Sequence, residues 1–215
     1  MIVVKICTAG ADAHATGVQL RNDMLEKICG IQPDEQEFVL GEHGKPMLKN
    51  QKIEFSISHS GKMVACGVNT GTQIPFKTAV GDEFEYFLRL RGGCDQKIGI
   101  DIEHIRDFPW ERIAKRYFSE WEQKAIREAE NPNAAFARIW TRKESYGKWT
   151  GRGLAELSTI DTENPPSQIR FYSKVDCFRG EYYAVSVCYA TSEEQEEAED
   201  ELEATVPEAG CCRPS

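Results

Sequence analysis

Apolar residues recur along this chain with two different periods, and the changes between them mark out its elements. Residues 1–7 (MIVVKIC) run almost continuously apolar, as a buried strand does. Over 15–29 the spacing lengthens: Val18, Leu25 and Ile28 form the stripe of a helix, and Gly30 stops it. Short strand patterns follow at 35–40, 53–58 and 63–68, with Gly44-Lys45-Pro46 as a turn after the first. Residues 69–97 keep neither period. A short helical pattern at 83–90 is the one element they suggest, so the stretch is expected to be a long insertion loop. A strand pattern returns at 97–104. Beyond it a helical pattern at 109–118 leads into Ser119-Glu120-Trp121-Glu122, a Ser-x-x-Glu capping box that starts a helix running to about residue 130. Asn131-Pro132-Asn133 breaks that helix, a longer one spans 134–150, and Gly151 closes it. Strand patterns at 168–175 and 182–190 form a hairpin-like pair.

Each half therefore holds helix plus several strands, which predicts an α+β fold of two similar lobes in one chain. The expected divisions are an N-terminal lobe over 1–96 that includes the insertion 69–97, a C-terminal lobe over 97–190, and a tail over 191–215.

Charge sharpens the last boundary. The net charge is -9, but residues 191–215 hold nine acidic residues and one basic; removing these from the chain's 35 and 26 leaves 26 acidic against 25 basic. A like-charge block without aromatic residues predicts disorder, and a nearly neutral body is free to carry a basic face toward an acidic partner. No stretch approaches the roughly 20 apolar residues of a membrane span, and no cleavage-like site follows the start, so the protein is expected to be cytoplasmic, without membrane or nucleic-acid partners. The eight cysteines form no CxxC pair, and no His stands at zinc-ligand spacing. They read as reduced thiols, mostly buried.

Two clusters carry candidate chemistry. In Gly99-Ile100-Asp101-Ile102-Glu103 the period of a strand puts Asp101 and Glu103 on one face, with Ile98, Ile100 and Ile102 on the other. Adjacent carboxylates repel unless water or a cation screens them, and a hard divalent ion such as Mg²⁺ is one resolution. The exposed polar face of an edge strand is the other. On the 134–150 helix, Trp140, Glu144 and Lys148 recur every fourth residue and share a stripe. An ordinary surface Glu–Lys pair has the same spacing, but the run from Trp140 to Lys148, ending in Gly151-Arg152-Gly153-Leu154, is far more specific than the pair.

These residues resemble the 4′-phosphopantetheinyl transferases of the surfactin-synthetase-activating, or Sfp-like, type. The family's G-[IV]-D-[IV]-E is matched by Gly99 to Glu103, and its W-[ST]-x-K-E-x-x-x-K by Trp140 to Lys148. Upstream, Phe55-Ser56-Ile57-Ser58-His59-Ser60 is similar to its F-[NS]-x-S-H-S element, and Gly44-Lys45-Pro46 to its G-K-P turn. Four motifs in family order cover the chain from about Gly44 to Leu154.

The resemblance implies transfer of the phosphopantetheine arm of coenzyme A to a serine of an apo carrier protein of fatty-acid, polyketide or peptide synthesis, releasing 3′,5′-adenosine bisphosphate. It implies a monomer with the coenzyme in a cleft between the lobes. Asp101, Glu103 and Glu144 would then hold Mg²⁺, and Lys148 would assist the leaving group. Glu144, or a water that it orients, would take the serine proton. Glu122 is a second candidate for that base, though the capping box explains it equally well. Ser58 and His59 would contact coenzyme phosphate, Lys45 and Pro46 its adenosine end, and Arg21 with Lys27 is all that the first helix offers toward the 3′-phosphate. Alternative readings are a non-catalytic module binding coenzyme A or carrier, and a Mg²⁺-dependent phosphoanhydride hydrolase.

Overall fold

The computed structural model describes residues 1–49, 53–71, 86–90, 97–191 and 204–205, with 86–90 and 204–205 as backbone strands. The first strand, β1 (Ile2–Thr8), is followed by α1 (Ala13–Cys29) and a short hairpin, β2 (Phe38–Leu40) with β3 (Pro46–Leu48). The strands β4 (Glu54–Ser60), β5 (Met63–Asn69) and β6 (Tyr86–Leu90) complete an N-terminal sheet in the order β6-β1-β5-β4. The C-terminal part runs β7 (Gly99–His104), α2 (Glu111–Tyr117), α3 (Glu120–Glu128), α4 (Pro132–Thr150), β8 (Ile169–Phe178) and β9 (Glu181–Ala190), its sheet ordered β7-β9-β8. A two-residue strand, β10 (Ala204–Thr205), pairs antiparallel with β6.

Alternation along β1 and β5 assigns their two faces. Val3, Val64, Cys66 and Val68 pack with Phe55 under Leu20, Met24, Leu25 and Ile28 of α1. Ile2, Val4, Ile6, Met63 and Ala65 point the other way, onto Ile98, Ile100, Ile102, Tyr183, Val185 and Val187 of the C-terminal sheet. The far face of that sheet carries α4. The layers are thus α1, sheet, sheet, α4, which is mixed helix and sheet of the α+β class. β5 is buried along its whole length because both its faces are covered.

The helical expectation at 83–90 is corrected over its described part, 86–90: β6 is a strand, drawn onto the open edge of β1 from Ile2 to Ile6. Its run YFLRL suits a strand once a partner edge exists. The rest of the insertion, from 72 to 85 and 91 to 96, lies outside the described residues. So does the tail apart from β10, whose place in the N-terminal sheet departs from a wholly disordered tail.

α4 lies close on the C-terminal sheet because the residues it sets there are small. Thr141 Oγ1 is 2.7 Å from Ser186 Oγ of β9. Opposite Ser145, β7 has Gly99, where an added Cβ would stand 1.8 Å from the Ser145 carbonyl oxygen. The helix ends at Gly151, whose φ of 77° is the left-handed conformation that terminates helices.

A second contact fixes the rotation of α4. Lys143 and Glu122 are both buried, and their charged groups meet at 2.9 Å. The ammonium also donates to the carbonyls of Leu157 and Ile160, so its three protons are all used. Glu122 accepts in addition from Ser119 N, completing the capping box of α3, and from both the amide and the hydroxyl of Thr162. This overturns Glu122 as a catalytic candidate. It is 0 % exposed and its oxygens are taken, so the capping-box reading is the one the structure bears out.

Two stability measurements follow from this packing. Gly99→Ala forces β7 and α4 apart and should cost about 3 kcal/mol or more, read as a clear fall in melting temperature; an unchanged melt would mean the approach is not tight. Glu122→Gln strands a buried ammonium and should cost about 3–5 kcal/mol in urea unfolding, with part recovered by adding Lys143→Met. A loss under about 1 kcal/mol would show that the pair does not hold α4.

Candidate active site

β7 is an edge strand, so the backbone groups facing away from β9 have no strand partner. Serines of β4 supply one. Ser56, Ser58 and Ser60 share a face of that strand, and their hydroxyl oxygens accept from Ile100 N at 3.0 Å, Ile102 N at 3.4 Å and His104 N at 3.1 Å. Lysines serve the carbonyls of the same edge: Lys45 Nζ donates to Ile98 O at 3.2 Å and Lys148 Nζ to Ile100 O at 3.0 Å. A side-chain seam therefore joins the two sheets where the G-I-D-I-E and F-S-I-S-H-S motifs meet.

The seam also orients carboxylates. Ser58 Oγ donates to Asp101 Oδ1 at 2.6 Å, and Lys148 Nζ donates to the same oxygen at 2.8 Å. Ser60 bonds the Glu103 side chain, which tempers the rise in that group's pKa caused by burial and by the Asp101 charge. Glu144, one helical turn before Lys148 on α4, is pushed up to about 7 by burial first and by the charge of Asp101 next, with Lys148 opposing. Asp101, Glu103 and Glu144 thus share one electrostatic environment with Lys148.

Among the described residues, no three His, Cys, Asp or Glu groups stand close enough to hold one metal ion as they are. The donor chemistry nevertheless fits a hard divalent cation. Asp101, Glu103 and Glu144 act on one another electrostatically, burial first and then that mutual repulsion raise the pKa of Glu103 and Glu144, and every donor is an oxygen.

Beside Lys148 opens a cavity of ≈ 370 Å³, walled by Phe55, Ile57, Pro46 and glycines of both halves of the chain. Lys45, Pro46, His59 and Lys148 line it together with His14 and His43. The last two come from the first turn of α1 and from the β2–β3 turn, and no spacing in the sequence connects them.

Two expected coenzyme contacts lie elsewhere. Ser58 is 7 % exposed and does not line the cavity, because the alternation that turns His59 outward turns Ser58 into the seam. Arg21 lies on the buried face of α1, its guanidinium 3.6 Å from the Phe38 ring centre and hydrogen-bonded to Asn22, so it is not offered to a phosphate. Lys45 reaches the cavity, but its ammonium is already 2.7 Å from Glu54 Oε2.

Residues 97–200 match the 4′-phosphopantetheinyl transferase superfamily. The chain is 31% identical over 159 residues to the 4′-phosphopantetheinyl transferase HetI of Nostoc sp., an alignment covering 71% of this chain and 57% of the relative. It is 29% identical over 149 residues to 4′-phosphopantetheinyl transferase Sfp of Bacillus subtilis, covering 67% and 55%. It is also 30% identical over 141 residues to the L-aminoadipate-semialdehyde dehydrogenase-phosphopantetheinyl transferase of Saccharomyces cerevisiae, covering 62% and 44%. The chain spans about half the length of these curated relatives. The matched region begins just before the strand that carries Asp101 and Glu103, and it includes all of the helix that carries Glu144 and Lys148, so likeness and geometry converge on the same elements: over these residues the chain is similar to the 4′-phosphopantetheinyl transferase superfamily and resembles its Sfp-like type.

Proposed function

We propose that this protein transfers the 4′-phosphopantetheine arm of coenzyme A to a serine of an apo carrier protein, releasing 3′,5′-adenosine bisphosphate. The observation that carries the reading is the Asp101–Lys148 contact at 2.8 Å, made between two family motifs and set at the wall of an open cavity beside Glu144. The two halves of the chain act as lobes with the coenzyme between them, and the enzyme works as a monomer in the cytoplasm. No helix among the described residues is long and apolar enough to cross a membrane.

Asp101, Glu103 and Glu144 would hold Mg²⁺, which supplies charge neutralisation at the pyrophosphate when bound. The remaining steps belong to the protein. Glu144, with its pKa raised to about 7, is suited to take the proton of the serine hydroxyl, directly or through a water that it orients. The serine oxygen attacks the phosphorus bearing pantetheine, and the bond from that phosphorus to the adenosine bisphosphate oxygen breaks. Lys148 has two of its three donors on Ile100 O and Asp101, which leaves the third for that oxygen as its charge develops. Phe55, Ile57 and Pro46 offer the apolar wall that an adenine ring would need.

The function is tested by incubating the chain with coenzyme A, Mg²⁺ and an apo carrier protein and weighing the carrier. A gain of the phosphopantetheine mass is expected. Free phosphopantetheine in place of a modified carrier would favour a hydrolase, and coenzyme binding without either product a binding module. Asp101→Asn keeps an acceptor for Ser58 while removing the charge, so transfer should fall about 100-fold or more with a melting temperature within about 5 °C of wild type. Normal turnover in that variant would remove Asp101 from the site.

The raised Glu144 pKa also predicts how metal and protons compete. Without metal the folded state keeps a proton at Glu144 that the unfolded chain releases near the ordinary value of 4.5. This group's contribution to stability therefore falls as pH rises from about 4.5 and is lost by just above about 7. Mg²⁺ must displace that proton, so it should raise the melting temperature more at about pH 8 than at about pH 5.5. An equal rise at both pH values, or the same rise in Asp101→Asn, would count against the carboxylate assignment.

A further inference from the structure

We propose that Tyr183 is a positioning residue for the metal-binding carboxylates: through the Gly61–Lys62 turn it sets where Ser60 meets Glu103, and so tunes how tightly the site takes Mg²⁺. The inference rests on the carboxylate assignment made above, and Tyr183 belongs to none of the four motifs.

The seam uses one device twice. Ser58 Oγ accepts from Ile102 N and donates to the carboxylate of Asp101, one residue back. Ser60 Oγ accepts from His104 N at 3.1 Å, and its hydroxyl bonds the carboxylate of Glu103, again one residue back. Each serine thus holds a strand amide and a candidate metal ligand at once, and a partner of that kind orients the ligand before an ion arrives. The two serines differ in what holds them. Ser58 is buried in the middle of β4. Ser60 is the last residue of that strand, half-buried, and pairs with Met63 across a turn of only two residues. Where its hydroxyl lies therefore follows from where the turn lies.

Tyr183 fixes that turn from the other half of the chain. It is 0 % exposed, and its hydroxyl accepts from Lys62 N at 3.2 Å and donates to Glu181 Oε2 at 3.0 Å. Lys62 Nζ returns to the same carboxylate at 2.8 Å. Gly61, with a φ of 55°, puts no side chain between turn and phenol: an added Cβ would stand 2.9 Å from the Tyr183 oxygen and 3.4 Å from His104 Cβ. The ring is stacked on His104, its cross-strand partner on β7, with centroids 4.9 Å apart.

One side chain therefore touches both the strand end that Ser60 must reach and the turn that carries Ser60, and it acts as a spacer between them. A buried phenol that both accepts and donates is held in a single orientation. Phenylalanine would serve the packing equally well. The hydroxyl is what the turn amide needs, and it is the atom through which the spacing is set.

The test follows the melting temperature of the full chain at about pH 8, with coenzyme A present, as Mg²⁺ is titrated in. Tyr183→Phe removes one oxygen and no charge. It should fold and should gain as much as wild type from coenzyme A alone, while the Mg²⁺ concentration that gives half of the further rise increases about tenfold, the scale on which partners of metal ligands act. Ser60→Ala should raise that midpoint by at least as much. Adding Tyr183→Phe to Ser60→Ala should raise it no further, because both act through one hydroxyl. A Tyr183→Phe variant that melts lower but keeps the wild-type Mg²⁺ midpoint has lost packing only and overturns the proposal, as does full additivity of the two substitutions. If coenzyme A gives no rise in wild type, the transferase reading fails; if coenzyme A does and Mg²⁺ adds nothing, the carboxylate assignment fails; in either case this inference falls with it.

Discussion

The free edge of β7 is the constraint on which the rest of this structure turns. Its outward amides at Ile100, Ile102 and His104 would be buried without partners between two packed sheets, at a cost of about 1–3 kcal/mol each. Three serine hydroxyls of β4 prevent this. A direct β4–β7 ladder would have made one continuous sheet and closed the space beside it. Because the joint runs through side chains, the two sheets meet face to face over the Ile2, Val4 and Ile6 core and still leave room at β4 for a cavity. The hydroxyls also have protons to donate, and Ser58 spends its own on Asp101. One set of atoms thus satisfies the strand edge and aims the chemistry.

Two lysine–carboxylate pairs, whose lysines Lys143 and Lys148 stand five residues apart on α4, show how environment separates structure from function. Lys143 and Glu122 are sealed, with each ammonium proton matched and the carboxylate holding α3 and the Thr162 loop. Such a pair is rigid and has nothing left to offer a ligand. Asp101 is buried, but its partner Lys148 is only partly covered and lines a cavity, and the pair shares its surroundings with two more carboxylates. Since Lys143 and Glu144 are neighbours about 100° apart around the helix, locking the first turns the second toward β7.

Much of this could be read along the chain. Period two in G-I-D-I-E set Asp101 and Glu103 on one face, and the fourfold spacing of Trp140, Glu144 and Lys148 set one stripe, because both depend on local geometry alone. Element order was legible for the same reason. What failed depended on contacts distant in sequence. The strand at Tyr86–Leu90 exists because β1 has a second edge to fill. Arg21 resembled a surface cation, but the buried stripe of α1 includes it and two aromatic rings receive it. Ser58 and His59 seemed one unit as neighbours in a motif, whereas a strand sends neighbours to opposite faces.

Glu122 shows a further limit. Its capping box was visible four letters at a time, and nothing in those letters revealed that Lys143 and Thr162 would converge on the same carboxylate. The difference between an acid that caps a helix and one that also carries a buried ion pair lies in long-range packing, where a charge must be matched or neutralised. The cavity obeys the same rule from the other side. Its lysines come to it already matched by Glu54 and Asp101, so their ammonium groups are held in place before any ligand enters.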